Sequence, residues 1–546
     1  MSSAAEQARR LAGLIFGHGA EPDEDDASIT LGGWRTLPRT TVAGLGALLA
    51  AVALVILAPA GPAQIVLAGI ATLLLAADPR IGPLPAALAV MIALPFGRGA
   101  DAHPLTIHGL PIRPADAAIG LGVLCALPGL HRPRREDRLP LAALAAFLAV
   151  GAMATLIGLL HHNAFRDIFR DVRWWGLYAA LGVALLARVR RDTLLRGLML
   201  GATVFALAAI ATAVLPVFAG GLKDEALIYD RGTLRMQFGN TIFLIPAMAF
   251  VARGVFDRRS GIHAAWVALL VVALTLSLTR MSLVAAAGML ALIAFAALLG
   301  TDRLRMRTAV VWVGVLSVAV VAATGAGLVL DVAGTPPPLA AAAGPTATPS
   351  PTATTPGQTG TPGPTATPSP TATPSPTATP SPPPAPENPI HRILFDSGQS
   401  DLDSTTAAGN GRFTSYKNAI AAIKRSPIVG LGMGSLVHVP FAYNHERAAT
   451  FGMQPAVDDA YLTIALKAGV IGLLPFLALL AWAALGSIRR PHLRSWLIPA
   501  WLALGVLTIT QGFAVASYGP FGFAVLMALT AHGYAASKGS TALSQS

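Results

Sequence analysis

Two stretches determine the fold: GRFTSYKNAIAAIKRSPIVGLGMGSLVH (411–438) and AVDDAYLTIALKAGVIGLL (456–474). The first is rich in polar residues and glycine, and the second begins with two aspartates and continues as a long apolar run. Apolar residues at helical spacing open the first stretch and predict one face of a short helix, namely Phe413, Tyr416, Ile420 and Ile423. Pro427 predicts the end of that helix. Three glycines then predict a flexible loop that can turn tightly: Gly430, Gly432 and Gly434. Asp458 and Asp459 stand at the start of the apolar run, which indicates binding or chemistry at a membrane surface.

The composition predicts a membrane protein. The chain has 546 residues, of which 54% are hydrophobic and 12% charged, and its mean hydropathy is +0.61. A chain of this composition is too apolar to be an ordinary soluble domain. The net charge of +12 is explained by arginine-rich cytoplasmic loops, so it does not predict a nucleic-acid partner. The single cysteine, Cys125, excludes an internal disulfide.

Apolar runs long enough to cross a bilayer recur along the chain. They lie near 41–59, 62–77, 82–96, 115–130, 139–160, 174–187, 197–217, 240–253, 262–278, 281–299, 309–330, 458–485, 496–514 and 518–535. We therefore predict an all-α polytopic integral membrane protein with about 12–14 transmembrane helices and one large extracytoplasmic loop. Residues 41–330 form the first helix bundle and 458–535 the C-terminal helices.

Arginine-rich loops predict the orientation. With the N-terminal tail 1–40 in the cytoplasm, five such loops fall on the cytoplasmic side: 131–138, 188–196, 253–259, 301–307 and 488–494. The C-terminal tail 536–546 is then cytoplasmic too. The hydrophilic segment lies outside, divided into a Pro/Thr-rich disordered spacer, 331–389, and an ordered part, 390–457. Repeats of T-A-T-P-S-P in the spacer have no apolar groups to bury and favour an extended chain.

Several arginines fall on the predicted outer side, although arginines concentrate in cytoplasmic loops under the positive-inside rule. Arg166, Arg170 and Arg173 follow one face of a predicted helix, and Arg231, Arg235 and Arg280 lie in later outer turns. Arginine forks bind phosphate oxygens bidentately, so these residues suit a lipid-linked diphosphate. The alternative is pairing with nearby acids such as Asp167 and Asp171. No acid adjoins Arg280, which favours a functional role for it.

Motifs of other enzyme classes are absent. The sequence has no Walker A loop, no HExxH and no Gly-x-Ser-x-Gly elbow. Asp458 and Asp459 have no third acidic ligand near them in sequence, so we predict no metal site and no cofactor. His445 is isolated, although it lies on the predicted outer side.

The motifs of the two opening stretches resemble those of the O-antigen ligase-like family. The matching positions are Arg412, Pro427, Gly430, Gly432, Gly434, Asp459, Tyr461, Leu462, Gly469 and Gly472. Upstream, LRMQFGNTIFLIP (234–246) and LTLSLTRMSLVAAAGML (274–290) are similar to two further family stretches, with Arg280 on the family's arginine. The resemblance covers about 230 to 535 and includes a large outer loop before the Asp-Asp-x-Tyr-Leu helix.

The resemblance implies a function. Members are ligases and polymerases that act on undecaprenyl-diphosphate-linked glycans at the outer face of the bacterial plasma membrane, with a glycan or lipid as the acceptor. It implies a metal-independent glycosyltransferase in which Arg280, Arg235, Arg170 and Arg412 bind the diphosphate. Asp458 then activates the acceptor, Asp459 orients the loop, and His445 is the second candidate base. Departures from the family are Asp458 in place of a histidine, Lys467 in place of a frequent glutamate, and the loss of Pro-Asn after Asn240.

Two other functions remain open at this point. A transporter or flippase of lipid-linked sugar places ionisable residues or broken helices near the midplane. The spans here are nearly free of charge, which favours the enzyme. A non-catalytic membrane protein of a polysaccharide assembly pathway is also compatible with the departures from the family motifs.

Overall fold

The structure, a computed structural model, describes part of the chain. The described residues are 39–57, 61–94, 105–107, 110–219, 227–230, 233–236, 242–258, 261–276, 280–300, 411–439, 452–454, 456–457, 459–488, 491–511, 513–515 and 518–531. The predicted span 309–330, the Pro/Thr-rich spacer and both terminal tails lie outside these residues.

Helices dominate the described part. They are α1 (Arg39–Leu57), α2 (Gly61–Ala76), α3 (Pro83–Ala93), α4 (Pro114–Ala126), α5 (Arg138–Leu160), α6 (Phe165–Gly176), α7 (Ala179–Leu186), α8 (Arg191–Ala219), α9 (Leu244–Arg258), α10 (Gly261–Leu276), α11 (Arg280–Gly300), α12 (Gly411–Ile423), α13 (Ala460–Ile488), α14 (Pro491–Gln511) and α15 (Gly519–Ala531). The strands of the described part form three short antiparallel hairpins. These are β1–β2 (Leu105–Ile107 with Leu110–Ile112), β3–β4 (Leu227–Asp230 with Thr233–Met236) and β5–β6 (Val437–Val439 with Gly452–Gln454).

The prediction of an all-α membrane protein is confirmed. Over the described residues, three helices are long and apolar enough to cross a membrane: Arg135–Leu160, Arg191–Ala211 and Ala460–Ile488. Shorter apolar helices lie at most of the other predicted spans. The agreement follows from hydropathy, because a backbone surrounded by hydrocarbon must satisfy its hydrogen bonds within each helix.

Two predicted spans differ from the observed helices. The span predicted at 174–187 is divided between α6, an amphipathic helix, and α7, which has 8 residues. At 1.5 Å per residue α7 is only about 12 Å long. The span predicted at 458–485 corresponds to α13, which is interrupted at Gly469 by a non-helical backbone (φ 62°, ψ −163°). Neither break leaves a signal in the hydropathy, because the residues around it are apolar.

Helix α12 occurs where the spacing predicted it, but its buried face is rotated by one residue. Ala419 is fully buried and Ser415 is 2% exposed, whereas Ile420 is 43% exposed. Ala419 packs with Val437, Val457 and Leu466 in a small core under the β5–β6 hairpin. This core attaches α12 to the beginning of α13.

The main core extends over most of the helices, and it contains an aromatic cluster beside α7. Phe147 stacks on Trp175 with ring centroids 4.2 Å apart. Tyr178 and Phe476 pack against Phe147 at 5.1 and 5.8 Å. Two hydrogen bonds fix these rings: Trp175 Nε1 donates to the carbonyl of Phe147 at 2.8 Å, and the Tyr178 hydroxyl donates to that of Ala514 at 2.7 Å. The aromatic cluster therefore joins α5, α6 and α13 to the turn before α15.

Loops predicted on the same side of the membrane meet in the structure. His161, just after α5, has its Nδ1 3.1 Å from the carbonyl of Leu431 in the predicted outer segment. At the other end of the bundle, His131 N donates to the Leu186 carbonyl at 2.9 Å. Arg196 Nη1 donates to the Arg80 carbonyl at 3.0 Å. These contacts group the loops by end, while the assignment of either end to the cytoplasm remains a prediction.

The orientation can be tested by cysteine labelling in a Cys125→Ala chain. Glu136 and Lys424 are exposed and lie at opposite ends of the bundle. We expect a membrane-impermeant maleimide to modify Lys424→Cys in intact cells, because this residue belongs to the predicted outer segment. Glu136→Cys should react only after the membrane is opened. The reverse pattern would overturn the orientation derived from the arginine-rich loops.

Candidate functional site

Residues 427–435, which we call the glycine segment, pack between the end of α5 and the break in α13. The amides of Leu431 and Gly432 donate to the carbonyls of Leu466 and Lys467 at 2.8 and 3.0 Å. On the other side, the amide of Met433 donates to the Ala154 carbonyl at 2.8 Å. The break in α13 thus finds its hydrogen-bond partners in protein, as irregular backbone inside a membrane requires.

Glycine is needed where this backbone meets the two helices. Gly430, Gly432 and Gly434 have φ of 72°, 85° and 78°, in the left-handed region that L side chains rarely adopt. A Cβ at Gly432 would lie 2.3 Å from the backbone nitrogen of Gly158 in α5. A Cβ at Gly430 would lie 2.5 Å from the backbone nitrogen of Ala468 in α13. The segment is therefore closely packed and differs from the flexible loop expected from the sequence.

A buried ion pair lies beside the glycine segment. Lys467 Nζ is 2.7 Å from Asp171 Oδ2, and both side chains are 3% exposed. The same carboxylate oxygen accepts a hydrogen bond from the Gly434 amide at 2.7 Å. Lys467 Nζ also donates to the Ser435 carbonyl. One lysine and one aspartate thereby connect α13, α6 and the glycine segment.

Arg170, predicted to bind diphosphate, has acidic neighbours on its own helix. Its Nη2 lies 2.9 Å from Asp167 Oδ1 and its Nε 3.7 Å from Asp171 Oδ1. Its guanidinium also lies over the ring of Trp174, 5.6 Å from the centroid. Together with Lys467, these residues contribute two positive and two negative charges. The group therefore has no net positive charge with which to attract a diphosphate, and the sequence alternative of local pairing describes Arg170.

Arg173, one turn further along α6, pairs with an acid from another helix. Its Nη2 lies 2.9 Å from Asp116 Oδ1 near the start of α4. Its guanidinium lies 5.0 Å from the ring centroid of Tyr518, in the turn before α15. The predicted row of arginines on α6 is thus divided, because Arg166 is exposed while the other two pair with acids.

A narrow cleft opens beside the ion pair. Aromatic side chains form much of its wall, namely Phe147, Trp174, Trp175 and Tyr178. Asp171 and Lys467 also line it. Met433 of the glycine segment and Thr463 of α13 complete the part nearest the loops. A mostly apolar cleft with a few polar groups is the usual form of a small-molecule site.

Asp459 lies one helical turn from this cleft and caps α13. The Leu462 amide donates to Asp459 Oδ1 at 2.8 Å. Thr463, which lines the cleft, donates from Oγ1 to the Asp459 carbonyl at 2.9 Å. Burial raises the pKa of the Asp459 carboxyl, and hydrogen bonds from the Leu462 and Tyr461 amides oppose this rise. As the pH falls, Asp459 is therefore protonated before an exposed aspartate.

The remaining predicted site residues are not brought together by described contacts. Asp458 and His445 lie outside the described residues. Arg280 begins α11, Arg235 lies on β4 opposite Ile228, and Arg412 lies in the first turn of α12. The side chains of these three arginines also lie outside the description. Among the residues the structure covers, no group of three or more His, Cys, Asp or Glu could hold a metal ion.

Sequence reasoning missed the pairing of Asp171 with Lys467. The available signal was a lysine inside an apolar run, which requires a partner in a membrane. From the sequence, Lys467 is a departure from a family pattern and Asp171 is one of the acids near Arg170. The structure shows instead that these two charges are buried against each other.

Comparison with known proteins gives one match. Residues 265–477 match the family model described as O-Antigen ligase. No curated protein matches the chain. The matched range includes Arg280, the glycine segment, Asp459 and Lys467, whereas Asp171 lies upstream of it. The predicted resemblance to the O-antigen ligase-like family is confirmed.

Proposed function

We propose that this chain, of which residues 265–477 match the family model described as O-Antigen ligase, is a membrane enzyme of glycan assembly that polymerises or ligates undecaprenyl-diphosphate-linked glycan at the outer face of the bacterial plasma membrane. The acceptor is a glycan or a lipid. The observation that carries the proposal is the position of Asp459, which belongs to the matched range and lies one helical turn from Thr463 in the wall of the cleft.

The proposed reaction replaces one bond to the anomeric carbon by another. The acceptor hydroxyl attacks that carbon, and the bond to the diphosphate oxygen breaks with its electron pair. A carboxylate takes the proton of the hydroxyl, which requires only a base within hydrogen-bond reach. Preorganised cations stabilise the charge of the departing diphosphate, so the reaction is written without a metal ion.

The residues are assigned as follows. Asp458 is the base, and Asp459 orients the chain before α13 through the cap that it forms with Leu462. Arg280 is the main diphosphate residue, assisted by Arg235 and Arg412. Because Arg170 is paired with Asp167 and Asp171, we assign it to the support of α6. His445 is the alternative base.

Substitution of the candidate bases tests this assignment. Membranes containing the chain would be supplied with a lipid-linked glycan donor and an acceptor, and product formation would be measured. Loss of a general base reduces rates by about 10²–10⁴-fold, which we expect for Asp458→Asn. Asp459→Asn should retain much of the activity, since asparagine also caps helices well.

Two results would change the assignment. A near-normal rate in Asp458→Asn removes Asp458 as the base, and an inactive His445→Ala variant beside it transfers the role to His445. Lys424→Met serves as the control, because Lys424 is exposed and charged on the same side of the bundle. Each variant should be compared at equal amounts of folded protein.

A flippase is the second candidate function, and one structural observation supports it. The spans were expected to be nearly free of charge, yet α13 contains the buried Lys467 and a helix break at Gly469. Nine residues of helix separate the break from the start of α13, which is about 14 Å and thus about half of the hydrocarbon thickness. Transport of the lipid-linked donor across proteoliposomes, without transfer to an acceptor, would support this function.

A further inference from the structure

The Asp171–Lys467 pair makes contacts that reach beyond a simple ion pair. Asp171 Oδ2 lies 2.7 Å from Lys467 Nζ and accepts a hydrogen bond from the Gly434 amide, also at 2.7 Å. Lys467 Nζ also donates to the Ser435 carbonyl. Asp171 and Lys467 therefore bind backbone groups of two adjacent residues of the glycine segment, Gly434 and Ser435, from two different helices. No other pair of opposite charges in the described part of the chain is buried to this extent.

Stability alone does not explain such a pair. Two charges removed from water lose their hydration, and their mutual attraction often does no more than offset that loss. Replacement by neutral residues of similar volume is frequently neutral, whereas removal of one partner leaves a buried, uncompensated charge. The better-established role of buried polar groups is to select one register among alternatives.

The register of the glycine segment against α13 needs side chains of this kind to select it. Its other hydrogen bonds with α13 join backbone groups, such as Leu431 N to Leu466 O and Val470 N to Pro427 O. Backbone groups are the same at every residue, so these bonds alone do not distinguish one alignment of the segment from another. Asp171 and Lys467 are specific side chains, and each has a fixed position on its helix.

We infer that Asp171 and Lys467 are a positioning pair, which fixes the register of the glycine segment against the break in α13. Met433, Asp171 and Lys467 all line the cleft, so this register also determines the shape of the cleft wall. Neither charge is required to contact the reacting atoms. The pair acts through the glycine segment, and Asp171, upstream of the matched domain, holds α6 against it.

Accessibility of the glycine segment tests the inference without any activity measurement. Ser435 is 7% exposed, and Ser435→Cys in a Cys125→Ala chain is nearly isosteric. We expect slow modification of this cysteine by a maleimide. In Asp171→Asn and in Lys467→Met, modification should be at least about tenfold faster, a change that corresponds to 1.4 kcal/mol. Lys424→Cys, which is exposed, should react at the same rate in all these chains.

The double variant Asp171→Asn/Lys467→Met decides between a pair and two separate residues. Its asparagine can still accept the Gly434 hydrogen bond, and no charge remains buried, so slow modification of Ser435→Cys should return. If the single variants do not assemble, recovery of a monodisperse protein in the double variant supports the inference. A double variant that reacts as fast as the single variants, or assembles as poorly, contradicts it.

The activity readout rests on the proposed function, whereas the labelling readout does not. Glycan transfer should fall at least about tenfold in each single variant and recover in the double variant. If the unmodified chain is active, an inactive double variant with slow labelling would mean that one charge takes part in the reaction, and the statement that neither charge contacts the reacting atoms would be rejected. Labelling that follows the expected pattern in a chain without transfer activity would reject the proposed function and retain the pair.

Discussion

Gly432→Ala is expected to yield a chain that does not assemble stably. The left-handed φ of 85° at Gly432 costs about 1–3 kcal/mol for a residue with a Cβ. The new Cβ would also lie 2.3 Å from the nitrogen and 2.7 Å from the Cα of Gly158. Overpacking of this kind typically costs a further 1–3 kcal/mol or so. Because both neighbouring atoms belong to the α5 backbone, no side-chain rotation relieves the overlap.

The measurement is the fraction of monodisperse protein and its thermal midpoint after detergent extraction. Gly288→Ala is the matched control, since Gly288 lies in α11 and a Cβ there meets nothing within 4 Å. This control should be neutral or slightly stabilising, because alanine is the better helix former. Gly432→Ala behaving like Gly288→Ala would show that the glycine segment does not pack against α5 as described.

Arg280→Ala is expected to abolish glycan transfer while the protein still assembles. Arg280 is the first residue of α11, it lies in the matched range, and the sequence resemblance predicts that it corresponds to the family's arginine. Loss of one preorganised donor to a developing negative charge reduces rates by about 10²–10³-fold. Arg280→Lys should rescue poorly, since an ammonium cannot reproduce the two parallel bonds of a guanidinium.

The assay is transfer from a lipid-linked donor in membranes at matched protein levels. Arg166→Ala is the control, because Arg166 is an exposed arginine of α6, on the predicted outer side. It should leave the rate nearly unchanged. Full activity in Arg280→Lys would reduce Arg280 to a general positive charge, and full activity in Arg280→Ala would remove it from the site.

The sequence by itself determined the class of the protein and most of its helices. Long apolar runs identify membrane helices because transfer into hydrocarbon depends on local composition. Pro427 and the glycines after it located the segment that later proved to pack beside α13. Asp459 was placed at the start of that helix, where the structure finds it as the cap. These properties depend on neighbours in sequence, so a single chain is sufficient to predict them.

Only the tertiary structure decided which charges are paired and which backbone is packed. Gly434 and Asp171 are 263 residues apart in the chain yet are joined by a hydrogen bond. The break at Gly469 depends on carbonyl and amide partners in residues 427–435, and Arg170 turned out to have acidic neighbours. Such pairings arise from long-range packing, because a buried charge or an open backbone group is stable only when a distant part of the chain supplies its partner.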